Sequence, residues 1–268
     1  GMQKTVIAHN TMGYQGNGRA VLTIRGQKWD GSGGDVAATY SEYILISDNY
    51  LIGNSSGATF ALQSESNSQD ERHREAIFER NYIVQTASAS NAIILNQTKD
   101  SVIRNNIIDS SLGDHYSVRF VNTTYPSAMT NDNLQIINNT FYQGGVASGY
   151  DFYDILELAN GVVTNNLCYE PNRTSGTGSC HALGGATNTT NTTPTFTAKT
   201  KNPAFTTDPP TTPRHYRSTV TGAYPATGGT ASFPATAYDF FNCAQASGVR
   251  LGATVPQALA QCRGVAGP

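Results

Sequence analysis

Arg25, Gln63 and Asn96 end three similar runs: Val21-Leu22-Thr23-Ile24-Arg25, Thr59-Phe60-Ala61-Leu62-Gln63 and Ala92-Ile93-Ile94-Leu95-Asn96. Side chains alternate along a strand, so if Ile24, Leu62 and Leu95 point inward their successors point outward. Stacked about 4.8 Å apart, the three would make a polar stripe long enough to hold a sugar chain. Trp29, in the insertion after Arg25, offers a ring to stack on a sugar, and Glu65 borders the stripe. The expected substrate-binding set is therefore Trp29, Gln63, Glu65 and Asn96.

The densest charge in the chain, Ser64 to Glu75, leaves the same strand set one coil later and carries Arg72, His73 and Arg74. Elimination on a uronate polymer needs a cation or acid beside the carboxylate and a base for the C5 proton. Arg25, Arg72 or Arg74 suits the first task; Lys28, His73 or a second arginine suits the other. The candidate catalytic set is Arg25, Lys28, Arg72, His73 and Arg74. A solvated, salt-bridged loop is the plain alternative for this cluster. Hydrolysis would instead need two acids on that face, Glu65 with Asp70 or Glu71.

What must position these residues is a repeated phrase. With Asn10, Asn49, Asn81, Asn106, Asn139 and Asn166 as anchors, the residue three places earlier is Ile7, Ile46, Phe78, Ile103, Ile136 and Val163. Two places later stand Met12, Leu51, Ile83, Ile108, Phe141 and Cys168, so both columns are apolar in all six copies. A fixed phrase with spacers of 25 to 39 residues is the mark of a solenoid. The phrase reads as strand, corner, strand. The anchor asparagine is expected to take the corner's left-handed conformation and to form a hydrogen-bonded ladder with its counterparts. One further run lies between each pair of anchors, the last two being Val118 to Asn122 and Ile155 to Ala159. About three strands per coil follow, and the fold expected is an all-β, single right-handed parallel β-helix.

The coils are expected over residues 3–170, a Thr/Asn/Gly-rich loop over 171–200, and an irregular C-terminal cap over 201–268, with a flexible tail as the alternative for the last. Arg119 and Glu157 are expected to pair on the surface, Tyr50 and Tyr82 to stack there, and His9 and His115 to be plain corner residues. The first strand begins by Thr5 with no capping element ahead of it. Solenoid ends expose core, so upstream residues or a partner chain covering the first coil are expected.

A 38% hydrophobic, 13% charged chain of 268 residues suits one elongated domain rather than disorder. Its net charge of −2 gives no basic field for nucleic acid. No apolar run reaches membrane-spanning length, so membrane insertion is not expected. Cys168, Cys180, Cys243 and Cys262 suggest local disulfides 168–180 and 243–262 and an oxidising compartment. Against the first pair, Cys168 sits in an inward column where a free thiol packs as a small hydrophobe. No Cys/His set reads as a metal site, and no cofactor is expected.

Phrases such as Ile136-Ile137-Asn138-Asn139-Thr140-Phe141 resemble those of the pectin-lyase-like β-helix superfamily, over about residues 5–170. Asp70 to Arg74 before a strand, with the Asn202-Pro203-Ala204-Phe205 and Asp239-Phe240 tail, looks like secreted bacterial right-handed β-helix proteins of unassigned activity. The resemblance implies a secreted or cell-surface location and a polysaccharide as partner. It implies a lyase-like enzyme on an acidic glycan, with a glycoside hydrolase or a non-catalytic carbohydrate-binding or structural module as alternatives. The superfamily's Gly-His-Gly, Arg-x-Lys and Arg-x-Pro-x-x-Arg signatures are missing here, and fold alone confers no activity.

Overall fold

A computed structural model describes residues 3–14, 20–24, 40–53, 59–62, 72–86, 91–96, 98–110, 117–121, 131–143, 152–153, 158–164, 166–171, 203, 205–207, 209–217 and 240–241. Among them the regular structure is parallel β-strand, apart from a 3₁₀ turn at Pro213–Tyr216. The chain is an all-β parallel β-helix.

Three parallel sheets carry the coils. The first joins Gln3–Ala8, Tyr40–Ser47, Arg72–Glu79, Val102–Arg104, Gln135–Ile137 and Val162–Thr164 in that order, each strand preceding an anchor. A branch from the start of Arg72–Glu79 continues through Thr98–Lys99, Asn131–Asp132 and Leu158–Ala159. The second sheet joins the strands after the anchors: Thr11–Tyr14, Tyr50–Gly53, Tyr82–Gln85, Ile107–Asp109, Thr140–Tyr142 and Leu167–Tyr169. The third joins Leu22–Ile24, Phe60–Leu62, Ile93–Asn96, Val118–Val121 and Phe152–Tyr153. Ile46, Phe78, Ile103, Ile136 and Val163, together with Leu51, Ile83, Ile108, Phe141 and Cys168, meet third-sheet residues such as Phe60 and Leu95 in one buried cluster. The two apolar columns of the phrase are thus core.

Register shows where the sequence reading slipped. Val118 and Arg119 pair with Phe152 and Tyr153, so these, not Ile155 to Ala159, continue the third sheet. Leu158 and Ala159 instead pair with Asn131 and Asp132 in the branch of the first sheet. The neighbour of Arg119 in its column is accordingly Tyr153; Glu157 lies outside the described residues. Both 152–153 and 155–159 are largely apolar, and an apolar run alone does not say which sheet a strand joins.

The anchor asparagines form the expected ladder. In each of its five steps the backbone N–H and Nδ2 of one asparagine donate to Oδ1 of the next, at 2.9–3.1 Å. From Asn49 onward each Nδ2 also donates to the carbonyl three residues before the previous anchor, as Asn106 does to Phe78 at 2.9 Å. The left-handed conformation, however, belongs to the residue before the anchor: His9, Asp48, Arg80, Asn105 and Asn138 have φ of 52–58°. The anchor's own side chain is spent on the neighbouring coil, so the turn falls to its predecessor.

A second left-handed column stands five residues earlier in each coil, at Lys4, Tyr43, Glu75, Asp100, Asn133 and Asn160, with φ of 48–55°. It bends the chain between the branch and the main strands of the first sheet. At Asn133, which is exposed, Asn133→Val is expected to lower stability about 1–2 kcal/mol below Asn133→Gly, since a Cβ-branched side chain resists this conformation. Equal urea midpoints for the two variants would contradict the bend.

The described tail packs on a flank. Phe205 and Tyr216 join Tyr82, Ile107, Tyr142, Leu167 and Tyr169 in a second buried cluster on the outward side of the second sheet. The Tyr216 hydroxyl donates to Asp109 Oδ2, Asp109 being 6% exposed. Tyr50 and Tyr82 stack at 5.0 Å, and Tyr82 is buried beneath the tail rather than facing solvent.

Candidate functional site

The segments 25–39 and 63–71 each connect a third-sheet strand to a first-sheet strand. Arg25, Lys28, Trp29, Gln63 and Glu65 lie outside the described residues. Arg72 opens its strand opposite Tyr40. His73 is wholly buried, its backbone between those of Ser41 and Thr98, in an inward column whose members Ser41 and Thr98 are buried too. Asn96 is 2% exposed; the Thr98 hydroxyl donates to the Asn96 carbonyl, and the Thr98 backbone N–H donates to Asn131 Oδ1. His73 therefore faces the interior with its column, and Asn96 is buried.

Arg74 faces outward and enters a polar row running across the strands. Gln3, Glu42, Arg74, Lys99 and Asp132 are successive register partners. Gln3 Nε2 donates to Glu42 Oε1 at 3.3 Å, Arg74 binds Glu42 Oε2 through Nε at 2.6 Å and Nη2 at 2.5 Å, and Lys99 Nζ lies 3.5 Å from Asp132 Oδ2. Asn160 donates to the same carboxylate at 2.8 Å. This row lies on the first sheet and is not the Arg25–Gln63–Asn96 stripe expected from the sequence, of which Arg25 and Gln63 lie outside the described residues. Its sequence signal is the polar character of positions 42, 74, 99 and 132, each one place before a left-handed residue.

Beside this row Tyr43 is 51% exposed, and its hydroxyl donates to Glu75. That bond, then the charge of Glu75, pushes the phenol above its ordinary range. Tyr43 thus stays protonated at neutral pH and serves as a donor or a stacking ring, not as a base.

The opposite margin of the same sheet face holds a second ionic row. Arg80 binds Asp48 through Nε and Nη2, both at 2.9 Å, and Glu79 Oε1 through Nη1 at 2.6 Å. Arg104 completes it on Glu79 Oε2 at 2.7 Å. Between the rows runs a column of register partners, Val6, Leu45, Ile77, Val102, Gln135 and Val162. Val6 is 66% exposed and the others are half-buried. The face is therefore a shallow apolar strip edged by hydrogen-bonding groups.

The arrangement can hold an amphipathic chain, whereas the cations on it are neutralised. Arg74, Lys99, Arg80 and Arg104 each have a carboxylate partner. A void of about 10 Å³ in the core, lined by Phe60, Phe78, Leu95 and Ile103 among others, is the size of one water and holds no sugar. Among the described residues no group of three or more His, Cys, Asp or Glu is placed to hold a metal ion, and no helix is long and apolar enough to cross a membrane. Cys168 is buried and disulfide-bonded, so it is not the free thiol of the alternative reading. Its partner, and the expected 168–180 and 243–262 pairings, lie outside the described residues. The chain matches no family model, no curated protein and no solved structure.

Proposed function

We propose that the solvent face of the first sheet binds an extended polysaccharide running along the solenoid axis. The observation that carries this reading is the apolar strip Val6–Leu45–Ile77–Val102 between two hydrogen-bonding rows. A pyranose has C–H faces and a rim of hydroxyls. Its faces would lie on the strip and its rim would meet Glu42, Arg74 and Tyr43 on one side and Asp48 and Arg80 on the other. The Cys168 disulfide supports an oxidising, extracytoplasmic setting for such a partner.

Binding is favoured over lyase chemistry among these side chains. A uronate needs a cation free to neutralise it, and the guanidiniums on this face are held by carboxylates. A lyase on an acidic glycan would draw its cation and base from Arg25, Lys28 and the 63–71 loop.

Titration calorimetry with soluble glycans tests the proposal. Ile77→Asp and Tyr43→Ala are each expected to weaken binding about tenfold, the equivalent of roughly 1.4 kcal/mol. Binding that survives both substitutions would remove this face from consideration. New absorbance from unsaturated uronates on pectate, alginate or glycosaminoglycans would establish the lyase instead.

A further inference from the structure

Charge is distributed unevenly on the outward face of the first sheet. The cations of its two rows are already matched. Arg74 is bound to Glu42 and Lys99 to Asp132, while Arg80 and Arg104 share Glu79, Arg80 holding Asp48 as well. Two further carboxylates stand on adjacent coils of the left-handed column beside the first row: Glu75, half-buried, and Asp100, exposed. Their described hydrogen-bond partners are uncharged. Glu75 takes the Tyr43 hydroxyl, and Asp100 takes Asn133 Nδ2 at 2.6 Å. Arg74 lies close enough to feel Glu75, but its guanidinium is held by Glu42. Lys4, in the same column, is two coils from Glu75. Among the described side chains, this margin of the face carries surplus negative charge.

We infer that the glycan this face selects is an uncharged one, a conclusion that rests on the glycan reading of the face. A hydroxyl both donates and accepts. A neutral sugar can therefore bond the carboxylate and the guanidinium of one ion pair without separating them. The carboxylate of a uronate matches only the cation of each pair. It is repelled by the anion beside that cation, and again by Glu75 and Asp100. The ammonium of an amino sugar meets the reverse conflict at each guanidinium. Admitting either charge by opening a pair leaves one member without its partner, and like charges set against each other are how a surface rejects a wrong partner. Hydroxyls alone satisfy every pair as it stands. Glu75 and Asp100 then act as specificity-determining residues, which exclude polyanions by charge rather than by contact.

Matched β-1,4-linked oligosaccharides of equal length test this by titration calorimetry on the full chain. Mannan is paired with mannuronate oligomers, and cello-oligomers with glucuronate oligomers, so that the members of a pair differ only at C6; glucosamine oligomers supply the cationic arm. The neutral member is expected to bind about tenfold more tightly than its acidic counterpart at low salt. The ratio should shrink as salt rises and screens the repulsion. Glu75→Gln combined with Asp100→Asn keeps an acceptor at both positions, and asparagine tolerates the left-handed conformation. This double variant is expected to narrow the ratio about threefold. Acidic or glucosamine oligomers that bind as tightly as the neutral ones overturn the inference and leave the glycan reading standing. A ratio that neither salt nor the double substitution moves overturns it too. Failure of every oligomer to bind overturns the glycan reading, and the charge selection with it.

Discussion

Asn106→Leu is expected to destabilise the chain by about 3–5 kcal/mol in chemical denaturation. The side chain donates to Phe78 O at 2.9 Å and to Asn139 Oδ1 at 3.0 Å, and it accepts from the backbone N–H and Nδ2 of Asn81 at 2.9 and 3.0 Å. Leucine keeps the branch at Cγ but is larger and cannot hydrogen-bond, so overpacking adds to the polar loss. It strands donors and acceptors in a fully buried place, where each costs about 1–3 kcal/mol. Left-handed strain adds nothing, because that conformation belongs to Asn105. Asn10→Leu is the control: its rung is exposed and bonded on one side, and under about 1 kcal/mol is expected. Equal losses at the two positions would show that the ladder does not set the stability.

Tyr216→Ala is expected to cost about 3–5 kcal/mol, the usual range for a large buried aromatic, and to hasten proteolysis around residues 203–217. Tyr216 is fully buried and touches Tyr82, Tyr142 and Phe205 at ring-centroid distances of 5.8, 5.6 and 5.5 Å. Without it the flank cluster loses its centre. Tyr216→Phe keeps the packing and removes the hydroxyl from Asp109, for about 1–3 kcal/mol.

The same cluster makes the fold sensitive to alkali. Burial, and then the charge of Asp109, raises the pKa of both Tyr82 and Tyr216 above the ordinary phenol range. The folded chain keeps two protons that the unfolded chain releases near pH 10. Their stabilisation is complete below that pH and is lost as pH rises toward the folded values. The expected slope is about 1.4 kcal/mol per pH unit for each tyrosine. Melting temperatures that stay flat from pH 9 to 11 would contradict this.

Most of the coil was legible in the one-dimensional pattern. Two apolar columns around a fixed asparagine leave few solutions other than stacked coils, because strand alternation and a shared interior must agree in every repeat. The ladder followed, since identical amides at one corner meet their own kind. The proposed binding face was less legible. Arg74 was singled out within a charge cluster, but its partners Glu42 and Lys99 are 32 and 25 residues away. The second left-handed column was missed because five residue types occupy it, and only Asp100, Asn133 and Asn160 advertise a turn.

The sequence by itself determined the repeat, its period, the inward columns and the amide ladder, because each depends on contacts between like positions of adjacent coils. Tertiary structure alone decided which corner residue bends, that His73 faces in, which strand continues the third sheet, and where the tail docks. Those outcomes turn on register between unlike segments and on the conformation of single corner residues. A shift of one residue reverses the direction of every side chain that follows, and no local pattern records it.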